Sequence, residues 1–215
     1  RSLTVLLVLV AFTAFVGIPL LPADSTGEGL IKILFTFFFL SALLALRDEK
    51  QATFRLLASA LSIPIFALWA RHIFQAEALV WFDSAMVGFV FFSLAILLTA
   101  QLLRAKNVSF RLVQGAAASY LLLGIAWAHF YQVIDELLPG AFSVLGSPSV
   151  PVETDLSLFT YYSLITLCTV GYGDIVPVHP IARSLSTLEA LVGQLYLLTV
   201  LGKLVSLESE KKRKG

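Results

Sequence analysis

Charge is scarce in this chain. Asp, Glu, Lys and Arg make up 13% of its 215 residues, where soluble domains carry roughly a quarter. With 58% hydrophobic residues and a mean hydropathy of +0.89, that scarcity excludes an ordinary soluble domain and points to an integral membrane protein. Cysteine is rarer still: Cys168 stands alone, which excludes an intrachain disulfide, and no CxxC or His/Cys cluster has the spacing of a metal site. A net charge of +1 implies no nucleic-acid partner; the informative quantity is where the charges fall.

What the chain has in quantity is long apolar runs. About 20 apolar residues in a helix cross a hydrocarbon core about 30 Å thick. The runs 3–21, 30–46, 54–73, 79–103, 112–137 and 181–207 meet that length and are predicted to span. The first exceeds the roughly 7–15 residues of a signal-peptide core, and no clear cleavage site follows it. A seventh run, 156–168, would reach only about 20 Å as a helix, which suits a re-entrant half-helix. The expected fold class is therefore all-α integral membrane: six transmembrane helices, a re-entrant helix and the loop that follows it.

Basic residues orient the spans. With the N-terminus inside, Arg1, Arg47, Lys50, Arg55, Arg104, Lys106, Arg111, Lys203, Lys211, Lys212, Arg213 and Lys214 lie inside or at the inner interface, and only Lys32, Arg71 and Arg183 lie outside. Asp24, Glu28, Glu77, Asp135, Glu136, Glu153, Asp155 and Asp174 gather outside. Both termini are expected to be cytoplasmic, in a multi-pass protein of the cell membrane.

Residues 166–174, TLCTVGYGD, are too rich in glycine for a lipid-facing helix, and irregular backbone at membrane depth is tolerated only where it is buried in protein or faces water. Glycine enters positive φ readily, so Gly171 and Gly173 at alternate positions let successive carbonyls point to one side. Four chains around an axis would stack those oxygens, with the Thr169 hydroxyl innermost, into a cage that replaces the hydration shell of a monovalent cation. The sequence holds one such loop and no internal repeat, so four-fold symmetry requires four chains.

From Thr169 to Asp174 the sequence TVGYGD resembles, residue for residue, the signature of tetrameric potassium channels. The flanking run 112–137, the short helix 156–168 and the run 181–207 stand where that family has its outer helix, pore helix and inner helix, so the resemblance covers about residues 110–208. It implies a homotetramer in which Thr169, Val170, Gly171, Tyr172 and Gly173 bind dehydrated K+ ions and Asp174 stands at the filter mouth. Tyr161 and Tyr162 match the aromatic pair that packs behind the filter tyrosine, one of the two being expected to do so. Where some members place a glutamate partnering the signature aspartate, this chain has Ile165, so Asp174 needs another donor, such as a backbone group or Tyr162. Cys168 either faces the water-filled cavity or is a small core residue.

Gly193 lies at the family's hinge spacing and implies either a bend or close packing. Gln194 would face the cavity, with Leu197, Leu201 and Val205 on the same stripe, the last two able to gate by dewetting. Glu189 is the acidic residue inside the inner helix: it either braces the back of the pore helix near Thr166 or sits protonated in a subunit interface, with ion coordination a further alternative.

The division follows as 1–108, four helices in the position of a voltage sensor, and 109–215, the pore domain. Voltage sensing needs several arginines in the fourth helix, and residues 86–103, MVGFVFFSLAILLTAQLL, have no basic residue. His72 and His129 read as interfacial or hydrogen-bonded. The stretch 138–154 reads as an irregular extracellular turret. Lys211, Lys212, Arg213 and Lys214 mark the inner end of the last helix and could meet anionic lipid. The sequence thus points to a potassium-selective, non-enzymatic channel that is not classically voltage-gated, with a weakly selective cation channel or a potassium-transporter subunit as the alternatives.

Overall fold

A computed structural model describes residues 2–20, 80–145 and 156–214, together with residues 30, 33 and 35–37. The predicted spans 30–46 (apart from those few helical positions) and 54–73 lie outside the described residues, as do His72, residues 146–155 and the charges from Asp24 to Glu77 assigned above to one side or the other.

Among the described residues, three helices are long and apolar enough to cross a membrane: Trp81–Arg104, Phe110–Leu137 and Pro180–Ser209. They belong to α2 (Val80–Arg104), α3 (Phe110–Leu137) and α5 (Pro180–Lys214). Between the last two lies α4 (Leu156–Leu167), which ends one residue earlier than expected. The first predicted span begins as α1 (Ser2–Phe12) and continues helically to Leu20 through a π-helical turn, Thr13–Gly17. Pro19 lacks an N–H and its ring crowds the preceding turn, which explains why the helix widens just before it. The apolar stretch Thr4–Leu20 is shorter than the three spans.

Helix α3 is the hub, packing against α1, α2, α4 and α5. Its start is set by Ser109, whose side chain accepts a hydrogen bond from the Leu112 N–H as an N-cap. Two of them offer it a stripe at helical spacing: Leu6 and Val10 of α1 with Ala14 of the π-helical turn, and Val87, Phe91, Leu94, Leu98 and Leu102 of α2, all buried. In lipid these faces associate through packing, because lipid tails are as apolar as the side chains.

His129 differs from the sequence expectation. It is buried within α3, its ring stacked on Phe91 at 5.9 Å and near Phe35 at 5.8 Å, and neither ring nitrogen has a hydrogen-bond partner among the described residues. Of the four phenylalanines in the fourth span, Phe91 is core, Phe92 packs on Trp127 and Phe130, and Phe82 and Phe89 are exposed.

The stretch expected to be a turret holds a short strand near its start. β1 (Phe142–Val144) pairs antiparallel with β2 (Ile175–Pro177), in the register Phe142↔Pro177, Ser143↔Val176, Val144↔Ile175. The ladder is lengthened at one end by Leu145 N–H donating to the Asp174 carbonyl (2.7 Å) and at the other by Val178 N–H donating to the Ala141 carbonyl (2.9 Å). The chain immediately after the glycine loop is thereby stitched to the chain immediately after α3. A three-residue pairing has no alternating pattern long enough to be read in sequence.

Candidate functional site

Helix α4 ends by turning its own last carbonyls into the anchor of the loop that follows. Val170 N–H donates to the Ile165 carbonyl (2.8 Å) and Thr169 N–H to the Thr166 carbonyl (2.9 Å), the paired 6→1 and 5→2 bonds of a Schellman C-cap. Gly171 N–H also reaches the Ile165 carbonyl, at 3.2 Å. The left-handed position of such a cap normally falls to glycine, but here Thr169 occupies it with φ +57°. A β-branched residue there carries strain of order 1–3 kcal/mol, sustained only when the surroundings over-determine it. The Thr169 hydroxyl donates to the Cys168 carbonyl (2.7 Å) and accepts from Gln194 Nε2 (3.3 Å), which supplies that constraint.

Positive φ recurs at every second residue: Thr169 at +57°, Gly171 at +53°, Gly173 at +79°. Alternation of left-handed and ordinary conformations over 169–173 is the backbone pattern in which carbonyls line one side of an extended strand instead of alternating across it. The strand lies open in a single chain, with Val170 49% and Tyr172 72% exposed. A Cβ on Gly171 or Gly173 would meet nothing within 4 Å, so their requirement is conformational and not steric.

Asp174 closes the loop. Its carboxylate accepts from the Tyr161 hydroxyl (2.6 Å) and from the Ile175 N–H (3.1 Å). That hydrogen bond, ahead of desolvation, pushes the Tyr161 phenol up to about 12. Of the donors suggested from sequence, a backbone group is present as the Ile175 N–H, whereas Tyr162 is buried one residue on, its hydroxyl bound to Ser186 Oγ at 2.7 Å and its ring against Tyr131 and Phe142. The two tyrosines therefore divide: Tyr161 reaches the loop mouth and Tyr162 ties α4 to α5. Ile165, half-buried, offers the loop its carbonyl and no side-chain polar group.

On α5, Gly193 faces the end of α4 so closely that a Cβ built there would sit 2.4 Å from the Leu167 carbonyl oxygen. Of the two readings left open in sequence, close packing is the one present. The same carbonyl accepts from the Tyr120 hydroxyl of α3 (2.9 Å), so the terminal turn of α4 is held from both flanks. Cys168 is exposed within one chain rather than core, with Tyr120 Oη 3.8 Å from its Sγ. Leu197, Leu201 and Val205 are exposed, but so are Leu188, Leu191, Leu195 and Leu198, so the uncovered apolar face of α5 is broader than the single stripe expected. Lys211, Lys212, Arg213 and Lys214 continue α5; their side chains lie outside the described residues.

Glu189 has 0% exposure. It lies behind α4 as one reading held, yet its partner there is Ser163, a turn earlier than Thr166; Tyr131 of α3 donates to its other oxygen, and Ser163 Oγ also lies 2.7 Å from the Gly124 carbonyl. A side chain sealed inside one chain is neither at a subunit interface nor coordinating an ion in a cavity.

Sequence reading missed Tyr131, Ser163, Ser119 and Tyr196. The last two form a second tie, with Tyr196 of α5 bonded to Ser119 Oγ and to the Ala116 carbonyl (2.7 Å) of α3. The available signal was their polarity inside apolar helices, where polar groups need partners.

Residues 118–210 match the family described as "Ion channel". The chain is 36% identical over 88 residues to the two pore potassium channel c of Oryza sativa subsp. japonica, covering 41% of this chain and 17% of that protein. It is 37% identical over 76 residues to the inward rectifier potassium channel Kirbac3.1 of Paramagnetospirillum magnetotacticum, covering 35% of this chain and 21% of that one. The matched stretch thus spans about a fifth of the length of these curated relatives, and no solved structure matches. Residues 118–210, which take in most of α3, all of α4, the loop 169–174 and most of α5, are thus the stretch in which this chain is similar to the ion-channel family and to these two potassium channels.

Proposed function

We propose that the protein is a potassium-selective channel, conducting passively through a pore that four copies of the chain build around their loops 169–173. The observation that carries this reading is the left-handed backbone at Thr169, Gly171 and Gly173, anchored on the end of a half-crossing helix. Carbonyls from Thr169 to Gly173 would replace the water around K+. The C-terminus of α4, carrying about half a negative charge per chain, would favour cations and disfavour chloride in the cavity. Residues 109–215 would form the pore domain, and residues 1–108 a four-helix domain whose fourth helix has no basic residue before Arg104, so an arginine-based voltage sensor is absent from it. With six spans both termini face the cytoplasm, and Lys211, Lys212, Arg213 and Lys214 would lie where anionic headgroups gather. Exposed Leu201 and Val205 are suited to a dewetting constriction.

Reversal potentials in a K+/Na+ gradient test the reading: a shift toward the K+ equilibrium potential is expected, and equal permeability would sink it in favour of a weakly selective cation pore. That second reading draws on Ile165, which leaves Asp174 held by a tyrosine hydroxyl and a backbone amide and by no partner carboxyl. Gly173→Ala forces an L-residue into φ +79°, costing about 1–2 kcal/mol, and should abolish selectivity or conduction while tetramers still assemble.

A further inference from the structure

The carboxyl of Glu189 poses a counting problem. Three short contacts surround it: Tyr131 Oη to one carboxyl oxygen, Ser163 Oγ to the other, and Ser163 Oγ to the Gly124 carbonyl at 2.7 Å. Each hydroxyl has one proton. Were the carboxyl ionised, both hydroxyl protons would point at it, and Ser163 Oγ would face the Gly124 carbonyl oxygen with no hydrogen between them. If Ser163 donates to Gly124 instead, its contact with Glu189 has a hydrogen only when the carboxyl supplies it. A single protonated acid satisfies all three contacts in one direction: Tyr131 to Glu189, Glu189 to Ser163, Ser163 to the Gly124 carbonyl. The surroundings agree: among the described residues, the groups that meet Glu189 from α3 and α4 are hydroxyls and not cations. The other ionisable groups nearby on the packed elements, Tyr162 of α4 and Tyr120 of α3, are phenols, and Tyr162 is engaged with Ser186.

We infer that Glu189 is a positioning residue that works in its neutral, protonated form, relaying one directed chain of hydrogen bonds across α3, α4 and α5 and so fixing where α4 delivers the loop 169–173. Ser163 is two residues before Ile165, whose carbonyl holds the Val170 and Gly171 N–H groups, so a shift of Ser163 is passed directly to the loop. Ile165 provides no acid behind the loop; the inner helix provides one from the other side of α4. The role of the brace in conduction rests on the function proposed above, whereas its protonation does not.

Protonated glutamic acid and glutamine are near isosteres with the same donor and acceptor, which makes Glu189→Gln the deciding variant. In the whole chain reconstituted into liposomes, E189Q should keep K+ flux and K+/Na+ selectivity within about twofold of the parent, because its amide can donate to Ser163 and accept from Tyr131. Glu189→Leu, which breaks the chain at its centre, should lose about tenfold or more. E189Q as impaired as E189L, or E189L as active as the parent, would overturn the inference. Infrared difference spectra of parent minus E189Q at neutral pH should contain a carboxylic-acid C=O band; carboxylate bands in its place would overturn it equally. Ser163→Ala serves where the leucine chain does not fold, and should both reduce flux and shift that C=O band; an unshifted band refutes the contact. A parent protein that passes no K+ sinks the channel reading but leaves the infrared result decisive.

Discussion

The back and the front of the α4–loop unit are built on opposite terms. Behind α4, hydroxyls from three helices meet in a sealed space: Tyr131 and Ser163 on Glu189, Tyr162 on Ser186, Tyr120 on the Leu167 carbonyl. In front, the loop stands with Val170 and Tyr172 uncovered beside an apolar face of α5 running from Leu188 to Val205. The contrast shows which part of the site one chain finishes alone. Positioning of the loop is an internal property of the fold, while the surface the loop presents is left uncovered by the described residues.

That contrast can be broken from the back. The largest effect is expected at Gly193→Ala, which drives a methyl into a backbone carbonyl that cannot rotate away. Overpacking of this kind costs about 1–3 kcal/mol, so a drop in the thermal midpoint of the detergent-solubilised protein and loss of K+ flux should appear together. An unchanged midpoint would mean that α5 is free to move off α4. Next is Tyr131→Phe, which leaves one oxygen of a buried acid unmatched at about 1–3 kcal/mol, read by chemical denaturation. Tyr196→Phe, at the second tie, should cost less, about 0.5–1.5 kcal/mol, since the Ser119 hydroxyl can still donate to the Ala116 carbonyl.

The smallest effect sharpens the front. Tyr161→Phe removes an exposed bond to Asp174, so global stability should stay within about 0.5 kcal/mol. The change should appear instead as faster decay of current when K+ is lowered, because Ile175 N–H is then the remaining hydrogen bond to that carboxylate. Equal decay in both proteins would assign loop stability wholly to the Schellman anchor.

Much of this arrangement was legible in the residues. Hydropathy alone marked the helices now seen over 80–104, 110–137 and 180–214, and the short helix between the last two, because apolar run length sets helix length in such a chain. TVGYGD announced alternating glycines, and its two positive-φ glycines sit where that reading put them. Thr169 in the left-handed region was not legible, since a β-branched residue is among the last expected there; its hydrogen bonds to Cys168 and Gln194 are what hold it.

The chain's composition and spacing by themselves determined where its long apolar helices lie, that the run between the last two is short, and which loop carries glycines at alternate positions, for these follow from local apolar length and from which residues tolerate positive φ. Which of two adjacent tyrosines meets Asp174, why Gly193 has no side chain, and what Glu189 binds were decided only by tertiary structure. Each depends on how three helices are rotated about their own axes, and a rotation of one residue, about 100°, is invisible to hydropathy yet exchanges every partner.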